Sequence, residues 1–371
     1  MQCDYFGRCG SCRNYEGGYG DQLERKIALI RSEFAPFHDG DISVFASPET
    51  HYRARSEFRI WHEGEAIRYA MHGIEKGSIV TIDACPKVVA PIAELMPRLL
   101  ASLEGTPMAN RLFGADFLAA GSGEVAVSLL YHRQLDDAWE EEARRLGSAL
   151  GIHIIGRSRK QKRVVGQEYV TETLTIAGRE YRFEQVENSF TQPNPRVNEQ
   201  MVSWALNCVE GIGGDLLELY CGAGNFTIPF ASRFERVLAT EISKSSIHAA
   251  KRNMVLNGVA NIDFVRMSAE EFVAALDGVR EFNRMRGIDL SDYRLKTLFV
   301  DPPRAGMDAS GCDFAARFDH LVYISCNPET LRRDLERMSG SHEVAAMALF
   351  DQFPYTDHLE MGVMLRRKEP S

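Results

Sequence analysis

Cysteine acts as a nucleophile or a metal ligand only as its thiolate, and the eight cysteines of this 371-residue chain fall into two patterns. Cys326 lies in HLVYISCNPETL, at the carboxyl end of an apolar run and just before a helix expected to start near Glu329. A helix N-terminus can lower a thiol pKa from its reference of about 8.5. Cys326 is therefore the candidate nucleophile, suited to attack on an electron-poor ring carbon. Cys3, Cys9 and Cys12 instead crowd the first twelve residues as C-x5-C-x2-C. A stable disulfide is not expected in a reducing compartment, so these three read as metal ligands or catalytic groups. Cys208, Cys221 and Cys312 read as inert core thiols.

The second set of chemical residues sits at the ends of apolar strands. DLLELYCGAGNFT (215 to 227) is a strand followed by Gly222 and Gly224 and then a helix from about Phe226. Glycines permit a tight turn and close approach of a ligand to the backbone. The full dinucleotide pattern G-x-G-x-x-G is not met, because residue 227 is Thr. The next strand, VLATEI, carries Glu241, an acid placed to hold the hydroxyls of an adenosyl ribose. A third strand precedes Ser268, Ala269 and Glu270, and a fourth ends in Asp301, Pro302, Pro303 and Arg304. Nicotinamide dinucleotides and S-adenosylmethionine both use such a crevice. The Asp-Pro-Pro-Arg run favours the second, since methyltransferases acting on planar bases have comparable segments.

Three segments must position these residues. Residues 1 to 45 hold the cysteine cluster and an amphipathic helix with Leu23, Ile27, Ile30 and Phe34 on one face. Residues 46 to 182 alternate strand-like runs, Ser56 to Trp61 and Val125 to Tyr131 among them, with a helix over Asp136 to Leu150. This reads as an α+β domain with an antiparallel sheet, and the basic residues within it make it the expected RNA-binding domain. Residues 183 to 371 carry strands at Leu216 to Tyr220, Val237 to Ile242, Ile262 to Met267, Thr297 to Val300 and Leu321 to Ser325. Strands separated by helical patterns give an α/β, Rossmann-like, doubly wound parallel sheet.

The formal net charge of -9 argues against a nucleic-acid partner if taken alone. Local charge argues otherwise. Arg53, Arg55 and Arg59 share a parity, so a strand there projects them from one face, with Phe58 and Ile60 on the other. RSRKQKR (157 to 163) adds Arg157, Arg159, Lys160, Lys162 and Arg163 without an acid. A focused basic cleft on an acidic protein would bind one folded RNA without coating all of them. The start lacks a secretory pattern and no run of 18 apolar residues occurs. A soluble, cytoplasmic, monomeric protein is expected.

NSFTQPN (188 to 194), LELYCGAGNFT, VDPPRAG (300 to 306), YISCNPETL (323 to 331) and DQFPYTDHLEMGV (351 to 363) together resemble the RNA uracil-5 methyltransferases. HYRARSEFRIWHEG, VSLLYHRQLDD and GVREFNRMRGIDL are most similar to the tRNA branch of that family. The resemblance implies methylation of uracil carbon 5 in the T-arm of tRNA, at the T-loop uridine numbered 54, and in other T-loop-like RNA. It implies Cys326 as the nucleophile that adds to carbon 6 and Glu360 as the base that removes the proton from carbon 5. From chemistry alone His358 and Asp351 are rival bases. Gln192, Tyr220, Gly222, Asn225, Glu241 and Asp301 match positions that bind S-adenosylmethionine, and Arg53 and Arg304 are the expected RNA contacts. A base inside a stack is inaccessible, so the target must be flipped out.

The amino-terminal cysteines resemble instead the iron-sulfur site of the ribosomal-RNA branch, with Cys85, before Pro86, as the fourth ligand. A 4Fe-4S cluster is expected ahead of zinc, in a structural role. The spacing is not the C-x3-C-x2-C of radical enzymes. A ribosomal-RNA uracil-5 methyltransferase is the alternative reading, and an RNA-folding module that keeps the fold is a second. A cytosine-5 enzyme fits less well, because the strand ending in Asp-Pro-Pro-Arg has no cysteine.

Overall fold

Apolar and charged residues alternate along Arg55–Glu63, and in the computed structural model, which describes residues 1–369, that stretch is a strand with Ser56, Phe58 and Ile60 buried and Glu57 and Arg59 exposed. In chain order the strands begin with β1 (Ile42–Phe45) and the seven of a middle sheet: β2 (Arg55–Glu63), β3 (Ala66–His72), β4 (Ile79–Ile82), β5 (Leu112–Ala119), β6 (Val125–Tyr131), β7 (His153–Ser158) and β8 (Gln161–Val165). β9 (Tyr169–Ile176) and β10 (Arg179–Val186) form a separate hairpin. The remaining strands are β11 (Asp215–Leu219), β12 (Arg236–Thr240), β13 (Ile262–Val265), β14 (Leu295–Val300), β15 (His320–Ser325), β16 (His342–Phe350) and β17 (Glu360–Arg367).

The helices are α1 (Gly18–Phe34), α2 (Ala90–Leu103), α3 (Asp137–Leu150), α4 (Pro195–Cys208), α5 (Thr227–Phe230), α6 (Lys244–Leu256), α7 (Ala269–Leu276), α8 (Ala309–Ala315) and α9 (Pro328–Met338). Asp136 caps α3 by accepting from the Trp139 amide at 2.9 Å, which satisfies one of the free amides of the first turn.

The large sheet has the order β1-β16-β17-β15-β14-β11-β12-β13. Alternate residues of its central strands face opposite layers. Leu216, Val237, Phe299 and Val322 pack with α4 and α6, whereas Leu217, Leu238, Leu298 and Leu321 pack with α1, α8 and α9. The chain thus has the expected α/β, Rossmann-like architecture, with one correction: β17 runs antiparallel to both β15 and β16, so the sheet is mixed rather than wholly parallel. α1 and β1 belong to this layer too, through Ile30 and Phe34 in its core and the pairing of β1 with β16.

The middle sheet, β4-β3-β2-β5-β6-β7-β8, is covered by α2 and α3. It departs from a purely antiparallel sheet at β6 and β7, which pair in parallel because α3 carries the chain back across the face between them.

Candidate active site

Strand order in the large sheet reverses between β11 and β14, and open α/β sheets bind ligands at the carboxyl ends of strands where that happens. Tyr220, Gly222, Asn225, Glu241 and Asp301 all follow the ends of β11, β12 and β14. The turn after β11 is tight: Tyr220, Gly222 and Gly224 have φ of 64°, 54° and 88°. A Cβ at Gly222 would meet nothing, so its φ alone is what calls for glycine there. Glu241 ties the two turns together, accepting from the Gly222 amide at 3.2 Å and the Ser243 amide at 2.7 Å. Asn225 is held by a reciprocal amide pair with the buried Asn198 of α4, both bonds 2.9 Å. Asn198 was not singled out in the sequence, where a lone amide on a helix carries no signal. Gln192 lies in the segment before α4 and accepts from Gln352 Nε2 at 3.0 Å.

Cys326 follows the last residue of β15, and Glu360 opens β17. The antiparallel register pairs Ser325 with Met361. Cys326 and Glu360 are therefore the next facing pair along the two strands. Burial, with the charges of Glu360 and Asp301, pushes the Cys326 thiol up to about 11, against the opposing effect of Arg304. This direction is opposite to the lowering expected from the α9 terminus, with desolvation the largest contribution and the two carboxylates adding to it. Asp301 is raised to about 7 by the protein packed around it. Glu360 is raised well above the ordinary carboxylate range, first by burial and then by Asp301.

The loop after β14 is fastened to the start of α9. Asn327 caps α9 by accepting from the Glu329 amide at 3.2 Å, and its Nδ2 donates to the Arg304 carbonyl at 3.1 Å. Thr330 Oγ1 donates to the same carbonyl at 3.3 Å. The Arg304 side chain stays exposed. Of the rival bases, Asp351 is fully buried and ion-paired with Lys26 at 2.7 Å, and it is Glu360 that faces Cys326. His358 lies at the surface, and partial desolvation by the protein beside it, followed by Arg304, lowers its pKa.

Arg53 lies on a cleft with Arg55, Lys87, Ser189, Phe190 and Phe353, so the basic edge of the middle sheet meets the segment that leads to Glu360. Phe190, 77% exposed, is a large apolar face presented to solvent on this cleft. Neither it nor Lys87 was chosen from the sequence, although Phe190 falls inside NSFTQPN. The 157–163 run is a β7–β8 hairpin, and most of its charge is already spent: Arg157 pairs with Glu187, Lys162 with Glu168, and Arg163 with Asp137 and Glu140. Among the described residues only Arg159 and Lys160 of that run make no ion pair, which narrows the expected phosphate surface.

Cys3, Cys9, Cys12 and Cys85 line one pocket. Among the described residues, however, no group of three or more histidines, cysteines or acids is placed to hold a metal ion. Burial pushes the Cys12 thiol up to about 11, with further contributions from Cys85, Cys9 and Cys3 that oppose Lys87. A thiolate there would need a compensating positive charge. The segment docks on the end of β3 through Gly10 N to His72 O at 2.9 Å, and on the loop between β16 and β17 through Arg13 N and Asn14 N to Tyr355 O at 2.9 and 3.0 Å. No helix of the described residues is long and apolar enough to cross a membrane.

A profile of the tRNA (uracil-5-)-methyltransferase family matches residues 18–368. A tRNA/tmRNA (uracil-C(5))-methyltransferase of Sulfurimonas denitrificans is 58% identical over 369 residues, 99% of this chain and 100% of the relative. One of the same description from Dechloromonas aromatica is 51% identical, over 94% of this chain and 97% of the relative. The crystal structure of the Pyrococcus abyssi tRNA (uracil-54, C5)-methyltransferase with S-adenosyl-L-homocysteine superposes with a TM-score of 0.73 at 23% identity, covering 96% of this chain and 86% of that one.

Proposed function

The chain belongs to the tRNA (uracil-5-)-methyltransferase family, and from that premise we propose that it methylates uracil carbon 5 of the T-loop uridine 54 in tRNA through a covalent adduct at Cys326. The facing positions of Cys326 and Glu360 beside the crevice carry this reading.

Carbon 5 of uracil is a poor nucleophile. Once the Cys326 thiol has lost its proton to solvent, the thiolate adds to carbon 6 and moves an electron pair into an enolate, and carbon 5 then attacks the methyl carbon of S-adenosylmethionine. The sulfonium leaves as a neutral thioether. Glu360 takes the remaining proton from carbon 5, the ring double bond re-forms, and the sulfur departs. Gln192, Tyr220, Gly222, Asn225, Glu241 and Asp301 hold the methyl donor. Arg53 and Arg304 hold RNA, with the target nucleotide flipped from its stack. The middle sheet with α2 and α3 forms the RNA-binding domain, and the large sheet with α1, β1 and the β9–β10 hairpin forms the methyltransferase domain, so the boundary expected at 182/183 moves ahead of β9. The enzyme works as a cytoplasmic monomer.

The names of the relatives include tmRNA, which supports a second substrate presenting a similar T-loop. The four cysteines around one pocket support a 4Fe-4S cluster, because an all-thiolate set of four suits iron-sulfur. Its role is structural.

Incubation with 5-fluorouridine tRNA and S-adenosylmethionine tests the proposal. Fluorine at carbon 5 blocks the last proton removal, so a stable protein–RNA adduct is expected. Its absence, or its persistence in Cys326→Ala, overturns the covalent route. Mass spectrometry of tRNA, tmRNA and ribosomal RNA from a deletion strain identifies the substrate.

A further inference from the structure

Lys26 is a buried lysine on α1, far in sequence from every residue of the proposed chemistry. Its ammonium donates to Asp351 Oδ1 at 2.7 Å, to the Phe353 carbonyl at 3.1 Å and to the His358 carbonyl at 2.8 Å. All three acceptors lie in the segment between β16 and β17. Gln22, one turn earlier on α1, donates from Nε2 to Asp351 Oδ2 at 2.8 Å and accepts from the Tyr355 amide at 3.3 Å. Ile30 and Phe34 of the same helix are wholly buried in the core under the large sheet. The helix is thus a fixed base, and two of its polar side chains reach positions 351, 353, 355 and 358 of one loop.

We infer that Lys26 is a positioning residue for Glu360, closing the 351–358 segment into the one conformation from which Glu360 enters β17 opposite Cys326. A buried ion pair contributes little net stability, because desolvation offsets the attraction. What this pair provides is geometry. Three donors on one ammonium match three acceptors at both ends of the loop, and Tyr355 between them is held at a φ of 61°, a conformation that non-glycine residues rarely adopt unaided. Gln352, next to Asp351, donates to Gln192, so the same clamp sets the edge of the methyl-donor crevice.

The inference rests on the proposed roles of Cys326 and Glu360, and its consequence is specific. Loosening the loop disturbs the proton removal that Glu360 performs after methyl transfer, while thiol addition from β15 proceeds. The paired variant Lys26→Met/Asp351→Asn removes both buried charges together, so neither is left uncompensated. With uridine-tritiated tRNA and S-adenosylmethionine, the expected result is a fall in kcat of about 10- to 100-fold, a KM for tRNA within about threefold of the parent, and accumulation of a methylated protein–RNA adduct with delayed release of tritium from carbon 5. Gln22→Leu keeps the ion pair and is expected to shift the same readouts less; if the paired variant does not fold, it decides. A folded variant that turns over normally, or one that loses adduct and product in equal proportion, overturns the inference. Cys326→Ala and Glu360→Gln run alongside: if the first still forms adduct or the second turns over normally, the underlying reading is at fault. If both behave as proposed and the α1 variants are unaffected, only the clamp fails.

Discussion

Cys326 and Glu360 face each other one step beyond the last paired rung of two antiparallel strands, Ser325 with Met361. The reversal of β17 within an otherwise parallel sheet makes this possible. A parallel last strand would carry its first residue to the opposite edge. The turn of the chain that brings β17 back therefore sets a sulfur and a carboxylate on the same edge as Asp301.

Glu360→Gln keeps the shape of the side chain and removes its ability to take a proton. The adduct should form, accept its methyl group and stall, so a radiolabelled methyl is expected in a protein–RNA band on denaturing gels. Product release should fall by about 10²- to 10⁴-fold, the usual worth of a positioned base. The double variant with Cys326→Ala should show no band.

Single-turnover product formation should rise with pH. Glu360 is held above the ordinary carboxylate range, Asp301 is raised to about 7 and the Cys326 thiol to about 11. A protonated base accepts nothing and a protonated thiol adds slowly, so both groups gain as pH increases. A rising profile from pH 6 to 9 without a falling limb is expected. In Asp301→Asn the negative neighbour that raises Glu360 is gone, and the part of the profile due to Glu360 should move to lower pH. A profile that is flat over this range contradicts the assignment of both groups.

The Asn198–Asn225 pair predicts a defect confined to the methyl donor. Asn198→Ala leaves Asn225 without its partner beside the crevice, at a cost of about 1–3 kcal/mol for an unsatisfied polar group. The KM for S-adenosylmethionine should rise about 5- to 140-fold, at 1.4 kcal/mol per factor of ten, while that for tRNA stays unchanged. An equal rise in both would mean that α4 itself had shifted.

Strands such as Val125–Tyr131 and Leu321–Ser325 are legible in the sequence because alternation and apolar runs encode burial directly. Glu241 and Asp301 are legible for a related reason, since each lies just beyond the end of such a strand, whereas Gln192, Tyr220 and Asn225 stand out only through the family resemblance. What pattern does not encode is pairing between distant segments. The stripe of Leu23, Ile27, Ile30 and Phe34 marks α1 as amphipathic, but nothing in that pattern shows that Gln22 and Lys26 meet Asp351, more than 300 residues away. The RSRKQKR run reads as a phosphate surface because Glu187, Asp137 and Glu140 are not adjacent in sequence. The direction of β17 is likewise invisible, since an apolar run carries no sign.

Glu218 offers a test of stability that is independent of catalysis. It lies wholly buried on β11, and desolvation raises it well above its ordinary value. The folded protein therefore binds this proton more tightly than the unfolded chain does. Its contribution to stability is present in full below the unfolded pKa of about 4.3 and is lost as pH climbs toward the folded value, at about 1.4 kcal/mol per unit. Glutamine cannot ionise, so Glu218→Gln should abolish that loss. Thermal unfolding followed from pH 5 to 9 should give a midpoint that falls with pH more steeply in the parent than in the variant, with the two diverging on the alkaline side. Parallel curves would place the carboxyl's folded pKa near its unfolded one, and burial would then not be what governs it.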